Sequence, residues 1–166
     1  MIIYHGSTIP VVIPEIRESE RMLDFGKGFY TTSNKEQAER WSQRVAAKRS
    51  TKQKIISEYE FDFEAARKEH VFVVFEKPDN HWFEFVCQNR SGKIPSEVFD
   101  IARGPVANDL VYATVILYEQ GLLSKEAAIS ELKVRKLYDQ ILFHTEKSLA
   151  YCQYLRHYTI GENSNG

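Results

Sequence analysis

Residues 25–41 read FGKGFYTTSNKEQAERW, and this stretch decides the fold. Gly26 and Gly28 allow tight backbone geometry where a flat, charged ligand can come close to the chain. Tyr30 beside them offers a planar face with a hydroxyl handle. Helix signals begin at once. Ser33 with Glu36 fits a capping box, and residues 34–49 are rich in helix formers, with Ala38, Trp41, Val45 and Ala46 set on one face. A tyrosine just ahead of a helix and a tryptophan within it are placed to enclose a flat ring. Upstream, Ile2-Ile3-Tyr4 is an apolar, β-prone run that ends in His5-Gly6-Ser7. His5 is therefore expected at a strand end, with backbone groups open to a ligand.

Working outward, residues 9–23 hold two prolines and mixed charge and read as a loop at the ligand mouth. Residues 55–63 (IISEYEFDF) alternate apolar and polar side chains, which predicts a half-buried strand, and residues 70–75 (HVFVVF) predict a second strand or buried element. Asp79 or Asn80 caps a helix to about Asn89, and residues 98–102 read as a strand broken by Gly104-Pro105. Residues 109–119 fit helix or strand; helix is favoured because Asp109 can cap it and Gly121 can end it. A helix over 124–132 capped by Ser124, a strand over 140–144, a short helix from Thr145 to Cys152 and an edge strand over 156–160 complete the order. This alternation implies an α+β domain.

At 166 residues the chain reads as one domain over 1–160 with a mobile tail, GENSNG, at 161–166; a domain of this size buries roughly 70% of its unfolded surface. The net charge of −1 indicates no strong field for a polyanion. Nucleic acid enters only through the local run Arg40, Arg44, Lys48, Arg49, Lys52 and Lys54, whose simpler reading is a solvated helix face. Cys87 and Cys152 stand alone, so they read as reduced thiols and no metal site is expected. No stretch approaches the roughly 18 apolar residues of a membrane span, and the N-terminus lacks a basic segment with an apolar core. A cytoplasmic protein is expected, any export route being encoded elsewhere.

Residues 2–7 and 23–32 (LDFGKGFYTT) carry a resemblance. They are similar to segments of the ADP-ribosyltransferase superfamily, in its histidine-tyrosine-glutamate branch, which includes diphtheria toxin and the poly-ADP-ribose polymerases. There the first strand ends in His-Gly-(Ser/Thr), and a later strand reads Gly-Lys-Gly-x-Tyr before a helix with a second aromatic. His5, Gly6, Tyr30 and Trp41 match those places in order. With GPVAND at 104–109 and QILFHTEKSL at 140–149, the chain more closely resembles a bacterial family of transferase-like domains of unknown function, DUF3990.

The resemblance implies two small, mostly antiparallel sheets around an NAD cleft with peripheral helices. It implies catalytic roles for His5, Tyr30 and Gln140 and an NAD-contacting set of His5, Gly6, Ser7, Gly28, Tyr30 and Trp41, with NAD as substrate and no metal. His5 would bond a ribose hydroxyl, the Gly6 N–H and C=O would hold the carboxamide, and Tyr30 and Trp41 would stack on the nicotinamide. Several relatives carry a serine where Ala38 stands, so its hydrogen bond would be missing or supplied by a neighbour such as Ser7 or Gln37. Relatives carry a glutamate where Gln140 stands, at the start of a late strand. An amide there keeps a hydrogen bond but loses charge stabilisation that is worth roughly 3 to 4 kcal/mol in comparable sites. Asp139 and then Glu146 rank behind Gln140 as substitutes.

The implied activity is mono-ADP-ribosyl transfer from NAD to a protein or nucleic-acid acceptor, the role of a bacterial toxin or defence effector with an antitoxin partner. The alternatives are an NAD glycohydrolase and a degenerate NAD- or ADP-ribose-binding module. An RNA 2′-phosphotransferase would call for an arginine at Gln140. Lys27 reads as a turn residue or a phosphate contact, and the 104–109 segment as a turn with a helix cap or as the acceptor side of the cleft. His144 reads as a structural, hydrogen-bonded histidine, and Tyr112, Tyr118, Tyr151 and Tyr154 as helix-packing residues.

Overall fold

Seven strands in two sheets, with five α-helices and one 3-10 helix, make up the computed structural model, which describes residues 1–17, 23–93, 98–106, 109–133 and 138–161. Asn108 and the tail beyond Gly161 lie outside the described residues. The order is β1 (Ile2–Ser7), β2 (Phe29–Thr31), α1 (Lys35–Lys48), β3 (Ile55–Phe61), α2 (Phe63–Glu69), β4 (Phe72–Val74), α3 (Asn80–Arg90), β5 (Ile101–Pro105), α4 (Asp109–Glu119), α5 (Lys125–Lys133), β6 (Asp139–Phe143), the 3-10 helix (Glu146–Tyr151) and β7 (Cys152–Thr159). The chain is thus α+β, as expected.

One sheet runs β1-β3-β7 and the other β2-β6-β5-β4; every pairing is antiparallel except β4 with β5. Among the described residues, backbone pairing joins the two sheets only at Tyr4 and Thr32, whose N–H groups donate to each other's carbonyls at 2.8 and 3.0 Å. Side chains alternate across strands, so this register sorts them onto two faces. Ile3, His5, Phe29, Tyr59, Ile101, Ile141 and Phe143 share one face, where the apolar members join Phe61, Ala66 and Leu149 in a core spanning both sheets.

On the opposite face, α1 packs against β1 and β3. Leu142 and Ala102 carry a second core with Trp82, Phe83, Phe85 and Val86 of α3, Val115 of α4, and Ala128, Ile129 and Leu132 of α5.

Local chemistry sets most boundaries. Asp79 accepts from the Trp82 N–H and starts α3, and Ser124 accepts from the Ala127 N–H and starts α5. The cap of α1 is Asn34, which accepts from the Gln37 N–H at 2.9 Å, and not Ser33. Ser33 instead donates its hydroxyl to Asp139 at 2.8 Å, a partner distant in sequence that a local motif cannot reveal. The expected strand over 55–63 ends at Phe61 because Asp62 accepts from the Ala65 N–H and starts α2. The strand expected at 98–102 lies at 101–105: Gly104 and Pro105 sit within it, opposite Gln140 and Asp139. Thr145 makes no side-chain cap; its hydroxyl donates to Asp100, and the turn that follows is 3-10. Tyr154 packs from β7 against Tyr59, not from a helix.

Candidate functional site

His5 lies on β1 with its ring stacked on Phe29, centroids 4.7 Å apart. Its Nδ1 donates to the Tyr30 carbonyl at 2.7 Å. A carbonyl oxygen can only accept, so the proton resides on Nδ1, and Nε2 is left with a lone pair. Burial lowers the His5 pKa against the opposing effect of the Tyr30 carbonyl, and the Arg17 charge lowers it further. The ring is therefore a neutral acceptor near pH 7.

Gly6 occupies the next position. Odd-numbered residues of β1 bond to β3, whereas Tyr4 bonds to Thr32, so alternation turns the Gly6 N–H and C=O toward the gap between the two sheets. Across that gap Tyr30 has given its carbonyl to His5. A Cβ on Gly6 would lie 2.1 Å from the Ala38 carbonyl and 2.9 Å from the Ser42 N–H. Only glycine lets α1 sit this close to β1.

Tyr30 and Gln140 share the Gly6 face of the joined sheets. The Tyr30 hydroxyl donates to the Gly26 carbonyl at 2.6 Å and accepts from the Phe25 N–H at 3.2 Å. Burial, reinforced by the Asp24 charge, raises its pKa well above the usual tyrosine value, so it is a neutral phenol with its ring pinned at the hydroxyl end. Gly28 is demanded by β6: a Cβ there would lie 2.2 Å from the Phe143 carbonyl. Ser7 donates its hydroxyl to the Ile9 carbonyl at 2.6 Å, within its own turn.

Trp41 departs from the expected helix face. The buried positions of α1 are Ala38, Ser42 and Ala46, spaced by four, whereas Trp41 is 51% exposed and Val45 only half-buried. The tryptophan flanks the contact with Gly6 and is no part of the core.

Gln140 is 7% exposed, and its Nε2 donates to Asp24 Oδ2 at 3.1 Å and to the Pro105 carbonyl at 3.3 Å. Asp24, also buried, forms an ion pair with Arg90 at 2.5 Å. Sequence reasoning missed this pair. An aspartate ahead of a glycine-rich turn reads as solvated, and its partner stands 66 residues away on α3. Asp139 accepts from the Thr32 and Ser33 hydroxyls and the Ser33 N–H and pairs with Arg103 at 3.4 Å, which ties β6 to the entry of α1. Glu146 is exposed beyond the far end of β6, where it accepts from the Ile16 N–H. His144 donates from Nδ1 to the Lys27 carbonyl at 2.6 Å and packs on Phe99, the structural role expected of it.

The structure thus brings Gly6, Tyr30 and Gln140 onto one face, with Trp41 exposed on the helix above Gly6, and sets His5 on the opposite face, joined to Tyr30 through its backbone carbonyl. A hollow of about 160 Å³ is lined by Gly104, Pro105, Tyr138 and Asp139, and Gln140 is not among its lining residues. A wider groove of about 780 Å³, lined by Met1, Asp62, Glu64 and Tyr151, shares no residue with this constellation. Among the described residues no group of three or more His, Cys, Asp or Glu could hold a metal ion, and no helix is long and apolar enough to cross a membrane.

Neither a curated protein nor a solved structure matches the chain. Residues 1–154 match the model of the family described as "Protein of unknown function (DUF3990)". That match spans the whole constellation and nearly all of the chain, which therefore belongs to the DUF3990 family.

Proposed function

We propose that the protein binds NAD in the gap between its two sheets and transfers a single ADP-ribose unit from it to a macromolecular nucleophile. The observation that carries this reading is the outward turn of the Gly6 N–H and C=O beside a His5 whose Nδ1–H is committed to Tyr30. One backbone donor and one acceptor suit the two ends of a carboxamide. The Nε2 lone pair suits a ribose hydroxyl.

In this mechanism Gly6 holds the nicotinamide amide, the hydroxyl-anchored Tyr30 ring stacks on its face, and Trp41 closes over it. The bond between C1′ and the nicotinamide nitrogen breaks with its electron pair going to nicotinamide, which leaves neutral. An oxocarbenium-like ribose remains, Gln140 accepts from its 2′-hydroxyl, and the acceptor's nucleophile attacks C1′ and gives up its proton. Gln140 carries no charge and supplies less stabilisation than a carboxylate, which favours single transfers over polymer synthesis. With water as acceptor the same site is an NAD glycohydrolase.

The second reading is an NAD- or ADP-ribose-binding module without turnover, favoured by that same uncharged residue. Incubation with NAD labelled on nicotinamide separates them. The transferase reading expects release by the parent protein and its loss in His5→Ala and Tyr30→Ala. Binding without release selects the module, and no binding overturns both.

A further inference from the structure

The surroundings of Gln140 decide how an uncharged residue works at this position. Its Nε2 donates to two groups that can only accept, the Asp24 carboxylate at 3.1 Å and the Pro105 carbonyl at 3.3 Å. Flipping the amide would set Oε1 against both, so its orientation is fixed. Each acceptor is itself held. The Trp82 indole donates to the Pro105 carbonyl at 3.1 Å, and Arg90 donates to the other Asp24 oxygen from Nε at 2.7 Å. Trp82, Asp24 and Gln140 are all buried, and the Arg90 side chain is 15% exposed. Both donors of the amide are thereby consumed inward, which leaves Oε1 as the atom available to a ligand hydroxyl.

We propose that Asp24 and Gln140 together replace the single glutamate of the transferases this chain resembles. Asp24 carries the charge and is a positioning residue. Gln140 is the group that touches the ribose, accepting from its 2′-hydroxyl through Oε1. The assignment rests on the transferase reading above. It has a consequence opposite to simple repair: Gln140→Glu sets a second carboxylate about 3 Å from Asp24 and against the Pro105 carbonyl, where two like charges cannot both be held. Moving the charge across this hydrogen bond, in Asp24→Asn/Gln140→Glu, keeps its sum and restores a donor-acceptor contact between the two positions.

The test compares the parent, D24N, Q140E and D24N/Q140E for NAD affinity by titration, for kcat and KM of nicotinamide release, and for melting temperature against pH. Each single variant is expected to lose about ten- to a hundredfold in kcat, or in NAD affinity if the parent does not turn over, as for one charged hydrogen bond. The double variant is expected to recover most of that loss, with KM unchanged. Among the described residues, Asp24, with its partner Arg90, and Tyr30 beside Asp24 are the charged and titratable groups nearest the introduced side chain. The shared site of Q140E therefore holds a proton more tightly folded than unfolded. Its melting temperature matches the parent's below about pH 4.3, the unfolded glutamate value, and falls behind as pH rises through the raised folded value.

A Q140E protein that matches or exceeds the parent in turnover and in neutral-pH melting overturns this proposal and leaves the transferase reading standing. A double variant no better than the singles also overturns it. A parent that neither binds NAD nor releases nicotinamide overturns the transferase reading and the proposal with it, whatever the melting curves show.

Discussion

At the scale of single residues, the candidate site is built from groups whose freedom has been removed. Burial holds the His5 pKa below the ordinary histidine value of about 6.5, against the opposing effect of the Tyr30 carbonyl, so the folded state takes up a proton less readily than the unfolded chain. Stability from this group is present above about pH 6.5 and is lost as pH falls through the lower folded value. The melting-temperature advantage of the parent over His5→Gln is expected to shrink as pH is lowered from about 7 to about 5. Gly6→Ala places a methyl group 2.1 Å from a helix carbonyl. Denaturant unfolding should register a loss of about 3 kcal/mol, because α1 must move off β1. In Tyr30→Phe the Gly26 carbonyl and the Phe25 N–H lose their shared partner, and the same measurement should give about 1 to 2 kcal/mol.

At the scale of elements, helix α1 separates packing from exposure. Trp41→Ala should change unfolding stability by no more than about 0.5 kcal/mol while weakening NAD binding, whereas Ser42→Leu, at a fully buried position, should destabilise the helix's seat on β1. A Trp41 variant that unfolds more readily yet binds NAD normally would show that the tryptophan is a packing residue. The helices over 79–90 and 124–133 were legible because their caps and apolar periods are local, and the strand ending at His5-Gly6 because its run is short and apolar. Trp41 was misplaced because hydrophobicity alone put it on the core face, while Gly6 opposite leaves room for only Ala38 and Ser42. The Asp24–Gln140–Arg90 network was not legible, since its three members come from a turn, β6 and α3 and meet only in the folded chain.

At the scale of the whole molecule, burial raises the Cys87 thiol to about 11 and the Cys152 thiol to about 12. Neither forms appreciable thiolate near neutrality, so alkylation at about pH 7.5 followed by mass spectrometry should label the denatured chain far faster than the folded one. One core spans both sheets and the other backs the second sheet alone, while among the described residues the backbone pairing between the sheets is a single pair of amides, Tyr4 and Thr32. In heavy water those two amides become a gauge of how often the seam between the sheets opens. Their deuterium uptake reports breathing of the seam, and a ligand wedged beside Gly6 should slow it while amides deep in β3 keep their pace.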